Sequence, residues 1–202
     1  MESYQDINNK ITKVFNIKTQ GAAPFTGHYS TTRLHLLELF KVLKYEVGAE
    51  IGVSKGHFSK RMCRTIPNLK LFLIDPWEGY WISSNWMTDE KSTQRYNNCV
   101  ERLEGCNVEY VKKPSMEAVR SFEDNSLDFV YIDGNHEFDY VMADIIFWSQ
   151  KVRPGGIVSG HDYFEFPQAG VVTAVRAYVA AHSIHDWYVT REKEPSFFWV
   201  KK

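Results

Sequence analysis

Val47-Gly48-Ala49-Glu50-Ile51-Gly52-Val53-Ser54-Lys55-Gly56 is the stretch that decides the fold. It reads as a strand over Tyr45–Ile51, a turn holding two glycines four positions apart, and the start of a helix over 54–65. Glycines at such a turn let a ligand approach the backbone and the positive end of the following helix, although glycine turns also serve helix–strand packing alone. Downstream the rhythm repeats. Strands are predicted at Leu69–Ile74, Val108–Val111, Leu127–Ile132 and Gly156–Ser159, with helices over 88–104, 115–122, 137–151 and 168–182. The helix over 137–151 shows the pattern most clearly, with Phe138, Val141, Ile145, Trp148 and Val152 spaced 3, 4, 3, 4. An aromatic loop separates the second strand from the polar helix over 88–104.

Strands alternating with helices predict a parallel sheet covered on both faces. The last two strands, Asp186–Thr190 and Ser196–Val200, are joined by a short turn around Glu192–Pro195 and read as an antiparallel hairpin. The result is an α/β, Rossmann-like, doubly wound sheet. Upstream, Ser30 or Thr31 could cap a helix carrying Leu36, Leu37, Phe40 and Leu43. Residues 1–30 read as a lead-in with a short helix around 6–17, and 31–202 as one domain.

The chain has 202 residues, 44% hydrophobic, enough for a full core without staples. Twenty-four basic residues against 25 acidic ones give net −1, which argues against a strongly basic nucleic-acid binder. Cys63, Cys99 and Cys106 show neither CxxC nor zinc spacing and read as reduced thiols. A polar start and the lack of a long apolar run point to a cytoplasmic protein without a membrane partner. A homo-oligomer is left open.

Ligands of such sheets sit at the carboxyl ends of the strands, so the residues there carry the functional reading. Glu50 is an acid at the end of a buried strand and needs a partner. Asp75, about 20 residues past the glycine turn, is placed either to accept ribose hydroxyls or to cap a turn with Pro76. Trp77 could stack on a base. Ser115 reads equally as a helix cap or, with Met116, as the edge of a base pocket. Two strand ends each deliver an acid and a histidine: Asp133 with His136, and His161 with Asp162. Asp133, His161 and Asp162 form an oxygen-rich set suited to Mg2+ or another hard divalent metal. A histidine beside such an ion, here His136, has the chemistry of a general base. Trp77, Tyr80, Trp81 and Trp86, with Tyr163, Phe164 and Phe166, could form an aromatic lid, a sugar-stacking surface or a subunit contact.

Together with Ser126–His136 and Arg153-Pro154-Gly155-Gly156, the glycine stretch resembles class I S-adenosylmethionine-dependent methyltransferases over about 30–165. Within them it is similar to the small metal-dependent O-methyltransferases acting on sugars and natural-product hydroxyls, the macrolide-sugar and rhamnosyl enzymes. The resemblance implies a seven-stranded sheet with an antiparallel last strand, and S-adenosyl-L-methionine as cofactor. It implies that Gly52 and Gly56 pass near the methionine part, with Glu50 as the acid at that end and Ser54 among the cofactor-binding residues. Asp75 falls at the ribose acid, Ser115 and Met116 at the adenine pocket, Asp133 and Asp162 at metal-ligand positions, and His136 at the catalytic base. The family often carries Asp or Glu where this chain has His161, which puts the metal in question. The reaction implied is O-methylation of a small-molecule hydroxyl, with any lid drawn from 1–30, 76–90 or another subunit. The competing readings are a non-catalytic cofactor-binding domain and a nicotinamide-dependent oxidoreductase.

Overall fold

The structure is a computed structural model that describes residues 2–17, 23–27, 31–82, 85–167 and 169–202, with the backbone alone described for 80–82 and 85–86. In chain order the elements are α1 (Tyr4–Phe15), β1 (Phe25–Thr26), α2 (Arg33–Val42), β2 (Val47–Ile51), α3 (His57–Thr65), β3 (Lys70–Ile74), β4 (Tyr80–Ile82), β5 (Asn85–Met87), α4 (Asp89–Arg102), β6 (Val108–Val111), α5 (Ser115–Ala118), β7 (Leu127–Ile132), α6 (Phe138–Lys151), β8 (Val152–Gly160), α7 (Val171–Ala181), β9 (Trp187–Val189) and β10 (Phe197–Val200). A single 3-10 turn, Val119–Ser121, follows α5.

The main sheet has the order β1-β9-β10-β8-β7-β2-β3-β6. Only β10 runs against the rest, pairing antiparallel with both β8 and β9. The sheet therefore has eight strands rather than seven. The extra one is β1, two residues of the lead-in that pair parallel with β9 at the edge. A two-residue strand carries no periodicity, which is why the sequence does not announce it. β8 is also longer than the Gly156–Ser159 segment expected. It begins at Val152 directly after α6 and slips register against β7 between Leu127 and Phe129, with Gly155 at φ 76°. The aromatic segment after β3 contains the hairpin β4–β5, with Trp81 opposite Trp86. The side chains of Tyr80, Trp81 and Trp86, and Ser30, lie outside the described residues.

One face of the sheet is covered by α1, α2 and α3, the other by α5, α6 and α7. α1 is capped by Ser3, whose hydroxyl accepts from the Asp6 amide, and buries Ile7, Ile11 and Phe15, spaced four apart. That stripe belongs to the same cluster as Phe40 and Phe129, whose rings stack at 4.2 Å. α2 is capped by Thr32 in a reciprocal box with His35, whose Nδ1 accepts from the Thr32 amide. On the other face Trp148, fully buried, packs edge-on against Phe122. β2, β3 and β6 step outward in one direction, and β7 returns to the other side of β2. This reversal places the tips of β2 and β7 side by side, where Asp133 N donates to Ile51 O at 2.7 Å. Among the described residues no helix is long and apolar enough to cross a membrane.

Candidate active site

The glycine turn is held tightly. Gly52 N donates to Ile74 O, tying the β2 tip to β3. Gly52 has φ 86°, and a Cβ added there would lie 2.1 Å from Asp133 O, so no side chain fits between the β2 and β7 tips. Gly56, the α3 N-cap at φ 69°, is packed against Cys99 and offers no capping side chain. Ser54, Trp77 and Asp162 also have positive φ, at 52°, 46° and 55°. These three non-glycine residues in the left-handed region follow β2, β3 and β8, and five others stand at turns elsewhere in the described chain.

Asp75 binds the turn itself. Its Oδ2 accepts from the amides of Val53 at 3.0 Å and Ser54 at 2.9 Å, and its Oδ1 from Trp77 N at 2.8 Å. Burial raises its pKa against the opposing pull of those amides. A carboxylate has about four acceptor positions, so Asp75 retains capacity for a ligand hydroxyl. Trp77 is 5% exposed. Its indole donates to Ser54 O at 2.8 Å, and its ring packs edge-on to Tyr96 at 5.0 Å. The indole thus braces the loop from beneath.

Glu50 is buried between β2 and α3, where its carboxylate accepts from Ser59 Oγ. Burial pushes its pKa up to about 8, with the Ser59 hydroxyl partly opposing the rise. Ser115 is similarly engaged. Its hydroxyl donates to Asp144 and accepts from Trp148 Nε1 at 2.8 Å, linking α5 to α6. Met116 packs, partly buried, on the same core face. Burial pushes Asp144 up to about 6, opposed by the Ser115 hydroxyl.

The second half of the site lies at the β7 and β8 tips. His136 Nε2 is 2.8 Å from Asp162 Oδ2 but off the N–H direction, an ion-pair contact rather than an aligned hydrogen bond. Interaction with Asp162 raises the His136 pKa against the effect of burial. The His136 side chain is 40% exposed, and its ring stands edge-on to Phe166 at 5.6 Å. His161 is buried, with Nδ1 3.6 Å from Asp133 Oδ1 and 3.3 Å from Asp162 Oδ1. Burial works to lower its pKa, but the two carboxylates prevail and push it up to about 9. Asp162 is held well below the usual carboxylate range by His136 and His161, in spite of burial.

Donor atoms of Asp133, His136 and Asp162 lie within 4.8 Å of one another, as do those of His161, Asp162 and Glu194. An octahedral ion with ligands near 2.1 Å holds opposite donors about 4.2 Å apart, so a mixed oxygen–nitrogen set of this span fits a divalent ion with small adjustments. The fold therefore brings Asp133, His136, His161 and Asp162 together at one place, across the switch point from Asp75 and the glycine turn. It also adds residues the sequence did not single out. Arg33 begins α2 and places Nη1 3.9 Å from Asp133 Oδ2, over the Phe58 ring. Glu192 receives the Arg33 amide at 2.6 Å, and Glu194 stands beside His161. These three are far from the strand tips in sequence, and no motif marks them.

Residues 49–163 match the protein family described as Methyltransferase domain. The chain belongs to that family. It is a class I S-adenosylmethionine-dependent methyltransferase domain, and the nicotinamide reading ends here. Among solved structures, the O-methyltransferase from Bacillus cereus in complex with S-adenosylhomocysteine superposes with TM-score 0.61 at 12% identity, covering 100% of this chain and 93% of that one. The O-methyltransferase TomG from Streptomyces achromogenes, involved in tomaymycin synthesis and bound to S-adenosylmethionine, gives 0.59 at 16% identity, covering 100% and 92%. At these identities the superpositions show a shared fold and no more. An uncharacterized protein of Sinorhizobium fredii is 26% identical over 142 residues, 67% of this chain and 14% of its own length. One from Acanthamoeba polyphaga mimivirus is 30% identical over 138 residues, 65% of this chain and 58% of its own length. This methyltransferase domain thus spans about a seventh of the first relative and somewhat over half of the second.

The cofactor fits the residues present. The turn carries no side chain at 52 or 56, the first turn of α3 is uncapped, and Asp75 keeps a free acceptor position beside it.

Proposed function

We propose that this domain transfers a methyl group to the hydroxyl oxygen of a small molecule, a sugar or a natural product, with His136 as general base and a divalent ion assisting. The observation that carries the reading is the His136–Asp162 contact of 2.8 Å beside Asp133, on a part-exposed imidazole just past the β7 tip, whose neighbour is the β2 tip. Bound S-adenosylmethionine supplies an electrophilic methyl group on a sulfonium sulfur, so the protein needs to position an oxygen nucleophile and take its proton. Glu50, Gly52, Ser54, Gly56, Asp75, Trp77, Ser115, Met116 and Asp133 line or brace the cofactor side.

Asp162 turns Nε2 of His136 inward, and Nδ1 has no protein hydrogen bond among the described residues. A small rotation of the ring toward Asp162 would hold the hydrogen of a neutral His136 on Nε2, leaving the Nδ1 lone pair to receive the proton of the substrate hydroxyl. Asp162 then stabilises the imidazolium, the role an acid plays behind a catalytic histidine. Asp133, His161 and Asp162 are the residues that would hold the ion, which lowers the pKa of a hydroxyl bound to it. A reducing, cytoplasmic setting suits the free thiols of Cys63, Cys99 and Cys106.

The test is methyl transfer from labelled S-adenosylmethionine to a panel of sugars and phenols, with and without Mg2+, Mn2+ or EDTA. Turnover that survives unchanged in both His136→Ala and Asp133→Asn would remove the assigned base and ligand. Binding of S-adenosylhomocysteine without turnover on any hydroxyl acceptor would leave the non-catalytic reading standing.

A further inference from the structure

Among the described residues a recess lies away from the strand tips. It has a volume of about 580 Å3 and opens between α2, α3 and the end of α4. Lys60, Arg61, Arg64 and Arg102 line it, against a single acid, Glu38. This charge collects on a chain whose net charge is −1, so the recess is a local reversal of the molecule's sign. Among the described residues none of the four cations forms an ion pair. Two are held by neutral groups instead. Arg102 donates to Lys55 O, and Lys60 lies 3.5 Å from Glu104 O and 3.6 Å from Cys106 Sγ. Backbone carbonyls fix these cations in place without neutralising them.

α3 makes the arrangement costlier. Its first turn has no acidic residue, although acids are favoured at the positive end of a helix, and the element carries Lys60, Arg61 and Arg64 with no acid at all. The field is felt by His57 on the rim, whose pKa is lowered by burial and then by Arg102, Lys55 and Arg61. A bound polyanion would relieve this repulsion. We propose that the recess binds the diphosphate group of a small ligand. Such a group carries on the order of three negative charges, arginine forks grip phosphate oxygens in pairs, and sites of about 300–1,000 Å3 suit small molecules. The concave shape and restriction to three helix segments favour this over a nucleic-acid backbone, which needs an extended basic track. The recess begins at Leu34 and His57, the residues after Arg33 and Gly56 of the candidate active site, so a ligand anchored there lies next to that site. Methyl transfer is not needed for the inference.

Calorimetric titration at low salt tests it directly, with inorganic pyrophosphate, uridine diphosphate and uridine as probes and thermal unfolding as the folding control. Pyrophosphate and uridine diphosphate are expected to bind, and uridine is not. Arg61→Glu and Arg64→Glu should each weaken both diphosphates by about tenfold or more, with Arg61→Lys intermediate, since lysine keeps the charge but loses the paired donors. Lys41→Glu, on α2 but outside the recess, should leave binding unaltered. If a reversal unfolds the chain, Arg61→Gln and Arg64→Gln carry the measurement. Absence of heat from both diphosphates overturns the proposal, as does equal weakening by Lys41→Glu. Tighter binding of an RNA oligonucleotide than of pyrophosphate through the same arginines overturns it in favour of a nucleic-acid surface. Since no probe is a methyl donor, failure here leaves the methyltransferase reading untouched.

Discussion

Replacing Glu50 by Gln should flatten the pH dependence of the fold's stability. Glu50 is 2% exposed, and burial lifts its pKa from an ordinary 4.5 to about 8. A carboxyl with a folded pKa above its unfolded value binds its proton more tightly when native. Stability is then fully present below about pH 4.5 and is lost as pH rises toward 8, because only the unfolded chain ionises freely in that window. Each pKa unit is about 1.4 kcal/mol, so this single group removes roughly 4–5 kcal/mol between those limits. That is comparable to a sizeable part of a domain's whole stability, on the order of 5–15 kcal/mol. Glutamine keeps an acceptor for the Ser59 hydroxyl and cannot ionise. Urea unfolding of both proteins at half-unit steps from pH 5 to 9 is the assay. The wild type should lose stability relative to Glu50→Gln by about 1.4 kcal/mol per pH unit up to about 8, and then hold a constant difference. Parallel curves across the range would refute the assignment of a buried, proton-holding carboxyl.

Other outcomes follow from the same geometry. His136→Ala should cost about 10²–10⁴-fold in turnover while S-adenosylhomocysteine affinity, read by calorimetry, stays within about twofold. Ser115→Ala leaves buried Asp144 and the Trp148 indole each without a partner and should lower stability by about 1–3 kcal/mol in urea unfolding. Gly52→Ala forces a Cβ to within 2.1 Å of Asp133 O at positive φ, so cofactor binding should fall by at least about tenfold even where the fold persists. His161 is protonated at neutral pH beside two acids, so Mn2+ binding should release about one proton, seen as a calorimetric heat that changes with buffer ionisation enthalpy.

The alternation of strands and helices, and the acid or acid–histidine pair at four of the five parallel strand ends, were legible because period and punctuation are local properties. Leu127–Ile132 and the helix after it could be placed to within a residue for that reason. Local order thus specified a Rossmann-like sheet with an antiparallel last strand, and which strand ends carry acids and histidines. Tertiary structure alone decided the rest. Strand β1 exists because the edge of β9 offers it unpaired backbone groups, not because Phe25-Thr26 favours a strand. Trp77 and Ser115, both legible as ligand contacts, engage neighbours that sequence distance hides, the Ser54 carbonyl and the Asp144–Trp148 pair. Arg33, Glu192 and Glu194 reach the site only because α2 and the β9–β10 turn meet above the sheet. The shifted protonation of Glu50 and His161 likewise depends on burial and on charges brought close by folding, and neither quantity is written in the order of residues.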